Sequence, residues 1–118
     1  MTAQHYSGGC QCGAIRYEVT ADLDHTIACN CSRCGRLGSI LTFASAENFT
    51  LLSGEENLTD FQFNKHVIHH LFCKVCGIES FARGAKPDGT AVVAINARCL
   101  DGVDVFALKP TNFDGRNS

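Results

Sequence analysis

Three thiols fall within six residues at Cys29, Cys31 and Cys34, in the stretch Cys29-Asn30-Cys31-Ser32-Arg33-Cys34-Gly35. Loop residues spaced so closely can aim several sulfurs at one ion. Zinc takes cysteine thiolates at about 2.3 Å in a tetrahedron. Structural zinc sites fill all four positions, whereas catalytic sites usually keep three protein ligands and leave one open. A C-x-C-x-x-C cluster with no obvious fourth partner therefore suggests a metal centre with a vacancy.

Two further pairs flank it, Cys10-Gln11-Cys12-Gly13 and Cys73-Lys74-Val75-Cys76-Gly77. Two short-spaced pairs far apart in the chain are the makings of a closed four-sulfur site. The glycines after Cys12, Cys34 and Cys76 suit tight turns with positive φ. The expectation is four plus three: Cys10, Cys12, Cys73 and Cys76 on a structural metal, Cys29, Cys31 and Cys34 on a second, with Cys99 left over. Cross-linking by metal would add stability to a domain with a modest core. Four disulfides would need an oxidising compartment, and redox-active thiols are the remaining alternative.

A chain of 118 residues with net charge −2 reads as one domain, residues 1–118, with a core of about 5–108. The charge balance argues against a broad footprint for nucleic acid. The opening residues lack the pattern of a signal peptide, and no apolar run reaches the roughly 18 residues of a membrane helix. The expectation is a cytoplasmic protein with small-molecule partners, no nucleic acid and no membrane, and with assembly into a homodimer left open.

The elements that must carry the cysteines read as mostly β. Residues 1–9 are polar and end in Gly8-Gly9, a flexible entry to the first cysteine pair. Ile15, Tyr17 and Val19 alternate with polar residues as a strand does. A short strand over 25–28 delivers the chain to Cys29, and Ser32 could cap one helical turn ending at Gly35. Strands are expected over 40–44, 49–52, 67–72, 91–97 and 103–108. Phe61 and Phe63 alternate with Gln62 and Asn64, and the turn Lys86-Pro87-Asp88-Gly89 is well marked. Residues 109–118 read as an irregular tail.

Other residues carry weaker signals. His66, His69 and His70 cluster, and His69 and His70 would face opposite sides of a strand. One of them could relay a proton or fill the open metal position, although a hydrogen-bonded strand histidine is the plainer reading. Cys99 could be a fourth ligand for the second metal but reads more simply as a small buried residue. Phe43, Phe61, Phe63, Phe72 and Phe81 read as core by default, with one or two of them free to line a pocket.

The chain resembles the glutathione-dependent formaldehyde-activating enzyme family, the CENP-V/GFA domain. The resemblance is carried by Gly9-Cys10-Gln11-Cys12-Gly13-Ala14-Ile15-Arg16-Tyr17, Cys29 to Cys34, Phe72-Cys73-Lys74-Val75-Cys76-Gly77 and Ile95-Asn96-Ala97-Arg98-Cys99-Leu100-Asp101. It departs at Asn30, where relatives often carry His, and over 63–71.

The resemblance implies an Mss4-like fold of several small coiled antiparallel sheets held by zinc knuckles. It also implies two zinc ions, one structural and one at the catalytic Cys29, Cys31 and Cys34. The implied activity is that of a carbon-sulfur lyase of the S-(hydroxymethyl)glutathione synthase type, adding glutathione thiolate to formaldehyde or a related aldehyde. Zinc would keep the glutathione sulfur as thiolate, the nucleophilic form. Arg33 and Arg36 flank the cluster and could grip the carboxylates of glutathione. A non-catalytic zinc-stabilised binding module and a thiol redox or metal sensor are the other readings.

Overall fold

The computed structural model describes residues 3–63 and 65–117; Asn64, part of the expected Phe61/Phe63 alternation, lies outside them. The strands are β1 (Gln4–Gly9), β2 (Arg16–Ala21), β3 (Ile27–Cys29), β4 (Leu41–Ser45), β5 (Phe49–Ser53), β6 (Leu58–Phe61), β7 (His69–Cys73), β8 (Phe81–Ala85), β9 (Ala91–Asn96) and β10 (Thr111–Phe113). A short helix, α1 (Cys34–Leu37), follows β3. β1, β2 and β5 form one sheet; the other runs β10-β3-β4-β9-β8-β7-β6. The mainly β reading holds. Pairing is antiparallel except between β10 and β3, which run parallel.

Alternation builds the core. Tyr17 and Val19 on β2 point inward at 0% and 1% exposure, and their neighbours Arg16 and Glu18 point away. Across the two sheets, Tyr17, Phe49 and Phe81 make a three-ring contact with centroids 4.8 to 5.6 Å apart. Ring pairs at such distances contribute about 0.5–1.5 kcal/mol beyond their area burial. The Tyr17 hydroxyl donates to the Ser80 carbonyl at 3.3 Å, so the one polar atom of these three rings is satisfied. Val93 and Ile95 on β9 complete the apolar centre at 0% exposure.

Several expectations are corrected. Gly8 and Gly9 are no flexible entry but the inner end of β1. A Cβ on Gly9 would lie 2.0 Å from the Ile15 carbonyl, and one on Gly8 would lie 2.9 Å from that of Cys99. Glycine permits the close approach there. The helical turn starts at Cys34, lacks a side-chain cap, and stops at Gly38 with φ +69°. The reason is local: Arg33 O accepts the Leu37 N–H at 2.9 Å and Cys34 O accepts the Gly38 N–H at 3.0 Å, which carries the turn past Gly35. The expected strand over 103–108 is a 3-10 turn at Val105–Ala107, because the Asp104 carboxylate accepts the Phe106 N–H. Within the expected irregular tail over 109–118, the described residues are ordered: β10 adds to the edge of the larger sheet, and a 3-10 turn follows at Gly115–Asn117. Phe43 and Phe61 are 52% and 43% exposed rather than core, and Phe63 and Phe72 are half-buried.

Candidate metal centre and adjoining cavity

Two turns from distant parts of the chain bring Cys10, Cys12, Cys73 and Cys76 together. Their sulfurs all lie within 4.8 Å of one another. Cys10 and Cys12 are 3.6 Å apart and Cys12 and Cys73 are 3.7 Å apart. A tetrahedron with metal–sulfur distances of about 2.3 Å has edges of about 3.8 Å, so these separations fit zinc. Backbone geometry fixes the turns. Gly77 N–H donates to Cys73 O at 2.7 Å. Gly13 and Gly77 take φ of +84° and +81°, as the sequence suggests; Gly35, inside α1, does not.

Backbone N–H groups aim at the sulfurs, from Ile15 to Cys10 at 3.3 Å and from Val75 to Cys73 at 3.4 Å. The four thiols are electrically unequal. The Ile78 backbone brings Cys76 down to about 6. The Ala14 backbone pulls Cys12 down, but burial and the neighbouring sulfurs win and push it up to about 11. Four sulfurs so close cannot all ionise unless a cation shares the site, so the donor set calls for a metal.

The second cluster forms where β3 runs into α1. Cys29, Cys31 and Cys34 again hold their sulfurs within 4.8 Å, and each is half-buried. Cys31 N–H points to Cys29 Sγ at 3.5 Å and Cys34 N–H to Cys31 Sγ at 3.3 Å. Burial pushes the Cys34 thiol up to about 12, with Cys31 adding to it. Cys31 lies below its ordinary value: burial opposes this, and the backbone N–H groups of Cys34 and Arg33 outweigh it. Among the described residues Cys99 belongs to neither group. Burial raises its thiol to about 11, with the Cys10 and Cys76 sulfurs next in effect; it thus lies toward the four-sulfur site. The reading of Cys99 as a fourth ligand for the three-sulfur cup finds no support.

The cup opens on a cavity of about 550 Å³. Its walls are mostly apolar, with Leu41, Phe43, Val67, Ile68 and Phe113 among them; Ser39, Lys65, His70, Glu79 and Asn96 supply polarity. Ser39 Oγ is buried without a hydrogen-bond partner among the described residues. The C-terminal segment closes one side. Asn30 N–H donates to Phe113 O at 3.2 Å, its Nδ2 donates to Asp114 Oδ1 at 3.0 Å, and its Oδ1 accepts the Arg116 N–H at 2.9 Å. Gly115 then passes so near that a Cβ there would sit 2.5 Å from Cys29 Sγ. Asn30 is thus the clamp that lays the chain's end against the cup.

No sequence motif singles out Glu79. Its Oε1 accepts Arg33 Nε at 2.9 Å and Nη2 at 2.7 Å, and its Oε2 meets His70 Nδ1 at 3.2 Å. Glu79 and His70 are both buried, at 9% and 6% exposure. A lone acid within Ile78-Glu79-Ser80-Phe81 is the available signal, because buried acids need partners. Arg33 is therefore committed to Glu79 and stacked over the Phe61 ring at 4.7 Å. Arg36 is exposed, donating from Nη1 to Ser32 O at 2.8 Å, in a second groove that shares Phe63 with the cavity. Of the other histidines, His69 is exposed and pairs with Asp60 at 2.7 Å. His69 and His70 do face opposite sides of β7.

Glu79→Ala should cost about 2–4 kcal/mol, because it strands a buried histidine and a partly buried guanidinium. Denaturant unfolding reads this directly. A loss of only a few tenths of a kcal/mol, the scale of an exposed pair such as Asp60 with His69, would deny Glu79 a linking role.

Residues 5–113 match the profile of the family described as glutathione-dependent formaldehyde-activating enzyme. The fold is similar to that of a Rhodobacter sphaeroides protein of known crystal structure, with a TM-score of 0.80 and 30% identity, covering 90% of this chain and 97% of that one. No helix among the described residues is long and apolar enough to cross a membrane.

Proposed function

The chain belongs to the glutathione-dependent formaldehyde-activating enzyme family, and we propose that it joins a thiol, glutathione first, to an aldehyde at the cup of Cys29, Cys31 and Cys34. The observation that carries this reading is that the three sulfurs and a carboxylate-held histidine line one cavity. Cys10, Cys12, Cys73 and Cys76 would hold a structural zinc, and the cup a second. Bound by three thiolates, that second ion would supply a position where an incoming thiol is kept as thiolate, the reactive form.

The chain's own residues handle the proton. Glu79 Oε2 would take the Nδ1–H of His70, which would leave Nε2 as the acceptor. Nε2 makes no hydrogen bond among the described residues, and the residue lines the cavity. His70 accepts the thiol proton, the sulfur–carbon bond forms as the carbonyl π bond opens, and the proton passes to the oxygen. The product is a hemithioacetal, with no change of oxidation state overall. Glu79 stabilises the imidazolium while it exists, and Arg33 holds Glu79 from the other side. Arg36, exposed in the adjoining groove, would meet a glutathione carboxylate.

Exchange NMR of glutathione with an aldehyde tests this, because it separates catalysis from the spontaneous reaction. Acceleration above the spontaneous rate is expected, and His70→Gln should reduce it about 100-fold with metal content unchanged. A His70→Gln protein as fast as wild type would remove the histidine from the chemistry.

A further inference from the structure

We propose that the aldehyde taken by this site carries a large apolar group, aryl or branched alkyl; the inference rests on the thiol-adduct reading above and names its substrate class. Formaldehyde has one carbon and one oxygen, whereas the cavity measures about 550 Å³. Cavities of that size accommodate ligands far larger than formaldehyde.

The register of the sheet shows how the space is made. Phe43 on β4 faces Ala94 on β9, Ala94 faces Ala82 on β8, and Ala82 faces His70 on β7. All four line the cavity. Two alanines therefore floor a trough between an imidazole and an aromatic ring. Three strand spacings of about 4.8 Å make that row about 14 Å long, enough for a substituted benzene ring.

The rim is apolar where water would otherwise favour polar residues. Phe43, Val67, Ile68 and Phe113 stand 52%, 55%, 49% and 49% exposed around this one cavity. Covering them with an apolar group removes that surface from water, which favours binding. The peptide arms of glutathione bear two carboxylates and an ammonium, and Lys65 is the one Lys or Arg among the described lining residues. The trough suits the aldehyde's substituent better than those arms. The aldehyde oxygen lies toward His70 and the substituent toward Phe43, and the bonds made and broken are those of the addition above.

The test uses the full zinc-loaded chain with glutathione and compares 4-isopropylbenzaldehyde with formaldehyde, each as acceleration over its own spontaneous rate. The aromatic aldehyde should be accelerated at least 10-fold more. Ala94→Phe, which fills the trough, should lower the aromatic-to-formaldehyde ratio at least 10-fold. Phe43→Ser, at an exposed position that does not threaten the fold, should lower it less but in the same direction. Benzyl alcohol, which cannot react, should shift the NMR signals of Phe43, Ala82 and Ala94 in the wild type and not in Ala94→Phe. Acceleration confined to formaldehyde, with no benzyl alcohol shifts, overturns the inference and leaves the thiol-adduct reading intact. No acceleration with any aldehyde overturns the thiol-adduct reading itself, and the inference with it.

Discussion

Cys73→Ser should leave the protein insoluble or unfolded. Cys73 is fully buried, its sulfur lies 3.7 Å from that of Cys12, 61 residues away, and its turn also holds Cys76. Structural zinc in small sites contributes about 10–16 kcal/mol to folding. A domain's whole stability is about 5–15 kcal/mol, so losing the site outweighs what the core can retain. Thermal unfolding and zinc analysis of the soluble fraction check this. A soluble variant with wild-type melting temperature and full zinc content would break the four-plus-three assignment.

Cys31→Ser should behave in the opposite way. Zinc should fall from two ions per chain to one, and adduct formation to the spontaneous rate, while the fold survives. The cup cysteines are half-buried, and the C-terminal segment stays anchored through Asn30 to Phe113, Asp114 and Arg116. A loss of about 1 kcal/mol would lower the melting temperature by about 4 °C. Retained activity in a one-zinc Cys31→Ser protein would move the chemistry away from the cup.

The cysteine clusters are legible in the sequence because their ligands are local: a C-x-C or C-x-x-C turn sets its own geometry, and each pair needs few partners. Strands with alternation, such as β2, are legible for the same reason. What escapes the sequence depends on pairing across the chain. β8, Phe81-Ala82-Arg83-Gly84-Ala85, has no clear period and is a strand because β7 and β9 flank it. β10 is three residues long and exists because β3 offers a parallel edge. Glu79 acquires its role only when Arg33 and His70 arrive from 46 and 9 residues away. Residue type alone assigns Phe43 and Phe61 to the core, yet the positions they occupy face a cavity and a groove.

The most direct test of thiol capture at the three-cysteine cup is calorimetry of the zinc-loaded chain with glutathione and with S-methylglutathione. The two ligands share every charged group and differ at sulfur, where only glutathione can ionise. S-methylglutathione should bind at least 100-fold more weakly if sulfur is captured at the cup, a difference of about 2.7 kcal/mol. Equal affinities would contradict it.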